Sequence, residues 1–509
     1  MALLNSLFTW IMKKRMHQIE LFMKYPHDVQ EEWFQSLISA AEATEWGKSY
    51  GYSSIVTPEE YKRRVPIQDY DDIKQYVDRM IKGEQNILWP SDIKWFAKSS
   101  GTTSDRSKFI PVSMEALEEC HYQGGKDMLS IYCHNKPENK IFTGKSVVIG
   151  GSSQINNFSP DSYYGDLSSI LIRNLPFWAE FKRTPNIEVT LNPNFEEKIE
   201  QIAQITIKEN VTSLAGVPTW NIVMANRILE MTGKDNLLEV WPNLEFYSHG
   251  GVSFKPYREQ FKRLIPSDNM YFLENYNASE GYFGLQDRSD SDDLLLMLDY
   301  GIYYEFLPTE NLDQEHPKTL SLGEVELHKN YALIISTNAG LWRYKIGDTI
   351  KFTSLSPYRI QISGRTKHYI NAFGEELIID NAEYALGIAC QATNATIQEY
   401  TAGPIYLKGN DAGAHEWIIE FERLPNDFEK FCQTLDDTLR QANSDYDAKR
   451  YKNMALGFPV VHIAPVGSFY TWMKERGKLG GQNKVPRLSN DRCYIEPLLA
   501  VIQHIPNNG

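Results

Sequence analysis

NPNFEEKIEQIAQITIKENVTSLAGV, residues 192–217, is the stretch whose reading decides the fold class. Phe195, Ile199, Ile202 and Ala203 recur at the spacing that lines one face of a helix, predicted over 192–210. The run 211–217 reads as a strand, and Pro218 then suits the first turn of another helix, where its missing N–H is not needed. Outward from there, KSVVIGG (145–151) reads as a buried strand. LEFYSHGG (244–251) and MYFLENY (270–276) read as further short strands ending at polar or glycine-rich turns. Strands alternating with helices imply an α/β fold with parallel strands and helices on the sheet faces. In such sheets ligands bind beyond the carboxyl ends of the strands.

Towards the amino terminus, 13–46 reads as helix, with Ile19, Phe22, Met23, Trp33, Phe34 and Leu37 as its apolar positions. Pro66 and Asp69 ahead of Ile73 and Val77 predict a turn feeding a second helix. From about residue 294 the texture changes. DLLLMLDYGIYYEFL, GEVELHKNYALIISTN, GDTIKFTSL and YRIQISG follow one another without helices, which predicts an antiparallel β subdomain. After GRTKHYINAFGEEL (364–377) the alternation resumes. A helix over 379–390, strands at 396–400 and EWIIEFE (416–422), a long helix from 426 and the strand VVHIAPV (460–466) form a smaller second α/β unit. The expected division is 1–365 as a large N-terminal domain and 366–509 as a mobile C-terminal domain.

Composition narrows the function classes. A net charge of −14 argues against a broad nucleic-acid surface, which needs clustered Lys and Arg, yet leaves room for a locally built nucleotide site. The five cysteines, Cys120, Cys133, Cys390, Cys432 and Cys493, form no CxxC pair and fit a reducing compartment. In MALLNSLFTWIMKKRMHQIE the positive charges follow the apolar stretch and no small-residue cleavage site is present, which reads as an amphipathic surface helix and not a signal peptide. No apolar run approaches the roughly 20 residues of a membrane span. A cytoplasmic protein, monomeric or weakly dimeric, is expected.

The chemistry-bearing loop is SSGTTSDRSKFIP, 99–111. IKWFAK before it is strand-like, and Ser113 with Glu115 predicts a helix start after it. Glycine lets backbone N–H groups turn toward an anion, and hydroxyls donate to phosphate oxygens. Ser99, Ser100, Gly101, Thr102 and Thr103 supply these groups, and Lys108 adds a point charge. The spacing is not that of a P-loop, which needs GKS or GKT opening a helix. By itself the string is also compatible with an ordinary polar surface loop.

Two further strings accompany it: YNASEGYFG at 276–284 and LWRYKIGDTIKF at 341–352, with flanking AEATEWGKSYGY, FYSHGG and GQNKVPR. Together they resemble the auxin-responsive acyl-acid amido synthetases, the Gretchen Hagen family, within the adenylate-forming superfamily of acyl-CoA synthetases, luciferases and peptide-synthetase adenylation domains. The similarity runs from about residue 20 to 495. Two departures stand out. Ser104-Asp105-Arg106 occupies a place where many members have glycine, and Lys345 stands where many have Arg, with Arg343 two residues earlier.

The resemblance implies ATP and Mg²⁺ as cofactors and a two-step reaction: acyl-adenylate formation, then transfer to a nucleophile. It implies catalytic roles for Glu280, as the Mg²⁺ carboxylate, and Lys484, a cation in the glycine-rich loop GKLGGQNKVPR, with Lys478 its competitor. Tyr276 would stack on adenine, Ser279 would reach the α-phosphate, Asp348 would accept the ribose hydroxyls, and Arg365 would lie at the hinge near the ribose. Gly150 and Gly151 would sit beside the acyl and nucleotide sites. Cys120, His121, Gly124 and Met128, on a helix over 113–134, would line the acyl pocket. For any single one of these four, plain core is the stronger reading, and His249 reads as structural or pocket-lining. The sequence holds no Ser/His/Asp arrangement and no metal-ligand cluster. The acceptor stays open between an amino acid and CoA, although a C-terminal domain of this length resembles the amido synthetases. A non-catalytic nucleotide- or acyl-binding protein is the third reading.

Overall fold

The structure is a computed structural model of the chain. It describes residues 2–99, 108–151, 156–159, 161–175, 177–252, 254, 257–312, 314–365, 369–407, 412–450, 453, 455–476 and 485–504. The strands of the first half are β1 (Trp95–Ser99), β2 (Lys108–Val112), β3 (Lys145–Val148), β4 (Asn156–Ser159), β5 (Ser162–Gly165), β6 (Arg183–Thr184), β7 (Val211–Ala215), β8 (Phe246–Gly250), β9 (Tyr271–Ala278) and β10 (Gly281–Leu285). Those of the second half are β11 (Leu294–Leu296), β12 (Ile302–Pro308), β13 (Asn330–Thr337), β14 (Tyr344–Leu355), β15 (Tyr358–Arg365), β16 (Tyr369–Ile370), β17 (Leu377–Ile378), β18 (Thr396–Ile405), β19 (Ala414–Arg423) and β20 (Val460–Ala464).

Among the described residues, eleven strands form one sheet in the order β12-β13-β14-β15-β11-β10-β9-β8-β7-β3-β6. Its β6-to-β9 end is parallel, as the alternation of 145–276 predicts. From β9 onward every pairing is antiparallel. The antiparallel runs after 294 therefore continue the parallel sheet. The switch is made at Ser279 and Glu280, a two-residue connection that returns β10 alongside β9. A second sheet has the order β2-β1-β5-β4, and β18-β19-β20 form a third in the C-terminal part.

Local chemistry sets the element ends. The helix expected over 13–46 is two helices, Ala2–Lys24 and Pro26–Ala41, because Pro26 cannot donate to the preceding turn. Asp69 and Asp72 form a capping box at the start of helix Tyr70–Ile81. The helix expected over 192–210 is shorter, Phe195–Thr206, with Asn194 accepting from the Glu197 N–H at its start. Pro218 opens helix Pro218–Thr232, which closes at Gly233 in the left-handed conformation, φ 64°. Ser113 caps the next helix as expected, its Oγ accepting from Ala116 N–H at 2.9 Å, but strand β2 intervenes between the loop and this cap.

Two large apolar clusters hold these elements. One gathers Phe34, Trp46, Tyr61 and Trp342. The other joins Trp220, Tyr247, Tyr257 and Phe261 to Phe373, Leu377 and Trp417, so residues on both sides of 365 share one core. Tyr257 Oη donates to Ala372 O at 2.6 Å and Asn371 Nδ2 to Gly251 O at 3.1 Å, which ties the 371–376 turn to the first half of the chain. No helix among the described residues is long and apolar enough to cross a membrane.

Candidate active site

The 99–108 loop closes a hairpin. Ser99 and Lys108 are directly opposed in the β1–β2 register, so the loop's two ends are held side by side. β1 also runs parallel to β5 and is anchored by buried Phe96 and Ala97, which fixes the direction in which the loop leaves the sheet. Lys108 Nζ lies 5.9 Å from the centroid of the Tyr70 ring, and Tyr70 Oη accepts from Phe109 N–H at 2.9 Å. Ser100, Gly101, Thr102, Thr103, Asp105 and Arg106 lie outside the described residues, as do Lys478 and Lys484.

The other two motifs meet physically. Tyr276 on β9 and Asp348 on β14 are four positions apart in the sheet order, yet Tyr276 Oη donates to Asp348 Oδ2 at 2.7 Å. The sheet must curl to bring them together. Both are largely buried, and the Tyr276 ring packs against Phe283 with centroids 5.0 Å apart. Such a bond, from a phenol to a carboxylate in a partly dry setting, fixes the carboxylate's orientation. Asp348 also stands opposite Arg365 in the β14–β15 register, which places two residues expected near the ribose at neighbouring positions. Ser279 and Glu280 occupy the β9–β10 turn, three and four residues from Tyr276, and both are half-buried.

Arg343 has a different environment from its neighbour in the motif. Its guanidinium donates to both oxygens of Glu305 (2.9 and 3.1 Å), to Thr319 Oγ1 and to the carbonyls of Lys62 and Val65. The five bonds match the donor inventory of a guanidinium, in the buried interior. Arg343 is thus a brace of the fold. Lys345 remains half-buried on β14.

The helix bearing the expected acyl-site residues begins with a wide π-type segment, Ala116–His121, and continues as Tyr122–Asn135. Cys120 Sγ accepts from Tyr282 N–H at 3.1 Å, and burial pushes its thiol up to about 12. His121 is buried, its Nδ1 makes no hydrogen bond among the described residues, and burial pushes its pKa down to about 4, which favours the neutral ring. Gly124 lets the Tyr282 ring lie directly on the helix, since a Cβ there would fall 2.6 Å from Tyr282 Cδ2. Cys120 and Gly124 thus contact β10, next to the Glu280 turn. Met128 is half-buried against the same core. Asp127 between them is fully buried and accepts from Arg15, Gln123 and Tyr300. His249 stacks on Phe254 at 3.9 Å, and burial pushes its pKa down to about 3.

Gly150 and Gly151 follow β3, and here the structure adds a residue. Lys198, fully buried, donates to Gly151 O at 2.8 Å and Gly150 O at 3.4 Å. Burial, with a contribution from Lys449, pushes its pKa down to about 8 against the opposing pull of Asp166. Gly151 N–H donates to Ser168 Oγ at 2.9 Å, and the Asp166 carboxylate occupies the space a Gly151 Cβ would need. The signal for Lys198 was present in the sequence: a lysine between Phe195 and Ile199, on the buried face of its helix. Among the described residues, no group of three or more His, Cys, Asp or Glu could cage a metal.

The chain is similar to known proteins along most of its length. Residues 15–270 match the GH3 family N-terminal domain, 295–365 the GH3 family central domain and 380–493 the GH3 family C-terminal domain. An indole-3-acetic acid-amido synthetase, GH3.3 of Arabidopsis thaliana, is 23% identical over 93% of this chain and 91% of its own. Jasmonoyl–L-amino acid synthetase JAR4 of Nicotiana attenuata is 23% identical over 96% and 95%. Among solved structures, the GH3.15 acyl acid amido synthetase superposes with a TM-score of 0.61 at 16% identity, covering 96% of this chain and 95% of that one. A 2-hydroxyisobutyryl-CoA ligase in complex with 2-HIB-AMP and CoA gives 0.58 at 13%, covering 94% and 92%. With its N-terminal, central and C-terminal domains matched in order along the sequence, the chain belongs to the GH3 family.

Proposed function

We propose that the protein is an ATP-dependent acyl-acid amido synthetase, which adenylates a small carboxylic acid and passes the acyl group to an amino acid. The observation that carries the reading is the Tyr276–Asp348 bond, because it joins the two motifs assigned to one nucleotide across a sheet that would otherwise separate them. Near-complete coverage of two amide-forming relatives supports it.

In this reading Asp348 accepts the ribose hydroxyls and Tyr276 holds its carboxylate in place, leaving the ring to meet adenine. The segment 99–108 would supply backbone N–H groups, hydroxyls and the Lys108 charge for the phosphates. Glu280 would hold Mg²⁺, an ion that typically takes one or two protein carboxylates alongside phosphate and water ligands. Bound Mg²⁺ and ATP supply charge neutralisation and the electrophilic α-phosphorus. The protein's part is to orient the acid's carboxylate for attack and to exclude water from the mixed anhydride. Lys484 would add a cation at the α-phosphate and Arg365, opposite Asp348 in the β14–β15 register, one near the ribose, with residues 366–509 rotating between the two half-reactions. The five free cysteines support a cytoplasmic location.

The test is ATP–pyrophosphate exchange across a panel of aromatic and aliphatic carboxylic acids, followed by hydroxylamine trapping of the adenylate. The twenty amino acids and CoA are then compared as acceptors. Exchange with at least one acid and consumption of an amino acid are expected. Transfer to CoA alone would make the enzyme a ligase of the other kind, and silence across the panel with ATP bound would leave only a binding protein.

A further inference from the structure

The first helix, Ala2–Lys24, is held in one rotation about its axis by what it buries. Met12, Ile19 and Phe22 sink into the apolar cluster that holds Phe34 and Trp46. Arg15 donates inward to Asp127 at 2.9 Å and to Asp299 at 2.6 Å. At about 3.6 residues per turn, this leaves Trp10, Ile11, Lys14 and Leu21 on one outward stripe. Tyr25 prolongs the stripe just past the helix, its N–H still bonded to Leu21 O at 2.8 Å. Trp10 is 57% exposed, and Ile11, Leu21 and Tyr25 are 45% exposed each.

Both aromatic residues of the stripe carry an ammonium. Lys14 Nζ lies 3.7 Å from the centroid of the Trp10 ring, and Lys24 Nζ lies 5.2 Å from that of Tyr25. A cation over a ring sets a positive charge and an apolar body at the same depth. That combination suits a lipid headgroup layer, where Trp and Tyr rings settle with their apolar bodies down and their polar ends in water. Glu20 is the one carboxylate of the helix, and it lies off the stripe with His17 3.8 Å away. Arg15 is already neutralised from inside, so Lys13, Lys14 and Lys24 set the outward charge, in a chain whose net charge is −14.

We propose that this face docks the protein on an anionic lipid surface, with the helix lying in the interfacial plane and its rings among the headgroups. The stripe runs along the helix for about 22 Å from Trp10 to Tyr25, so the axis lies along the surface and not across it. Charge complementarity selects the occupant. Lysines laid over exposed rings attract lipid phosphates while Ile11 and Leu21 meet the acyl boundary. The acidic remainder of the chain does not prevent this. Charges more than a Debye length of about 8 Å from the contact are screened at physiological ionic strength, so the lysines at the surface decide. A second copy fits less well, because a two-fold contact would bring together two faces of like net charge. The inference is independent of the reaction the protein catalyses.

The experiment sediments the full chain with vesicles of phosphatidylcholine alone and of phosphatidylcholine with about one-third phosphatidylglycerol. The parent should bind the anionic vesicles about 10-fold or more tightly than the neutral ones, and should lose that difference in about 0.5 M salt. Lys14→Gln combined with Lys24→Gln should weaken binding about 10- to 30-fold, the loss of two surface charges. Trp10→Ser combined with Leu21→Ser should weaken it about 10-fold or more by removing the inserted apolar groups. Lys234→Gln combined with Lys262→Gln removes two exposed charges elsewhere and should leave binding within about twofold. All six positions are exposed, so urea midpoints should match the parent's and show that the fold is kept. A parent that ignores anionic vesicles overturns the proposal, as does equal weakening by the two lysine pairs. Dimerisation without lipid that Trp10→Ser with Leu21→Ser abolishes would give the face to a second copy and overturn it too.

Discussion

Replacing Tyr276 with Phe removes one atom and tests the joint between the two nucleotide motifs. The phenol donates to Asp348 Oδ2 at 2.7 Å in a site where both residues are nearly buried. A hydrogen bond to a charged group contributes about 1.5–3 kcal/mol, and a carboxylate that loses its donor also loses its fixed orientation. If Asp348 must present both oxygens to the ribose, the KM for ATP in pyrophosphate exchange should rise about 10- to 100-fold at 1.4 kcal/mol per factor of ten. Urea denaturation without ATP should show a stability loss of the same order. Tyr276→Leu supplies the control, because it removes the ring as well. A ring stacked on adenine adds about 1–3 kcal/mol, so the Leu variant should bind ATP more weakly than the Phe variant. A Phe variant with the parental KM for ATP would falsify the bracing role, and equal defects in Phe and Leu would remove the stacking role.

Four further outcomes are expected. Arg343→Met should cost about 3–5 kcal/mol in urea unfolding, because Glu305 would remain buried and charged without its partner; a loss under 1 kcal/mol contradicts the structural assignment. Gly124→Ala should lose about 1–3 kcal/mol by forcing Tyr282 off the helix, and Tyr282→Leu should recover part of it in the double variant. Asp445 has a folded-state pKa raised above its unfolded value, so the native state holds the proton more tightly and stability falls as pH rises from about 4 through 7. Asp445→Asn should therefore be more stable than the parent at pH 8, on the order of 1–2 kcal/mol after solvent screening, with the gap closing toward pH 4. Lys198, with its pKa lowered to about 8, has the opposite sign: the unfolded chain keeps its proton longer, so stability gains between about pH 8 and 10. Lys198→Met should flatten that slope, as followed by urea midpoints at the two pH values.

The sequence by itself determined the α/β class, the parallel strands of 145–276 and the order of the three motifs, because each rests on local periodicity or on residues close in the chain. Phe195, Ile199 and Ile202 mark a buried helix face wherever that helix packs, and Pro218 opens a helix in any context. What only the tertiary structure decided concerns residues brought together across sheets. That the antiparallel runs continue the parallel sheet follows from hydrogen bonding across the Ser279–Glu280 turn, which no single strand encodes. Arg343 reads as a motif cation until Glu305, Thr319 and two carbonyls enclose it. Lys98, Asp166, Lys198, Asp445 and Lys449 are ordinary charged residues in sequence, spread over some 350 positions. Packing buries Lys198 against the Gly150 and Gly151 carbonyls and rests Lys449 on the Trp220 ring, contacts that no local pattern encodes because burial is what makes a charge seek such partners.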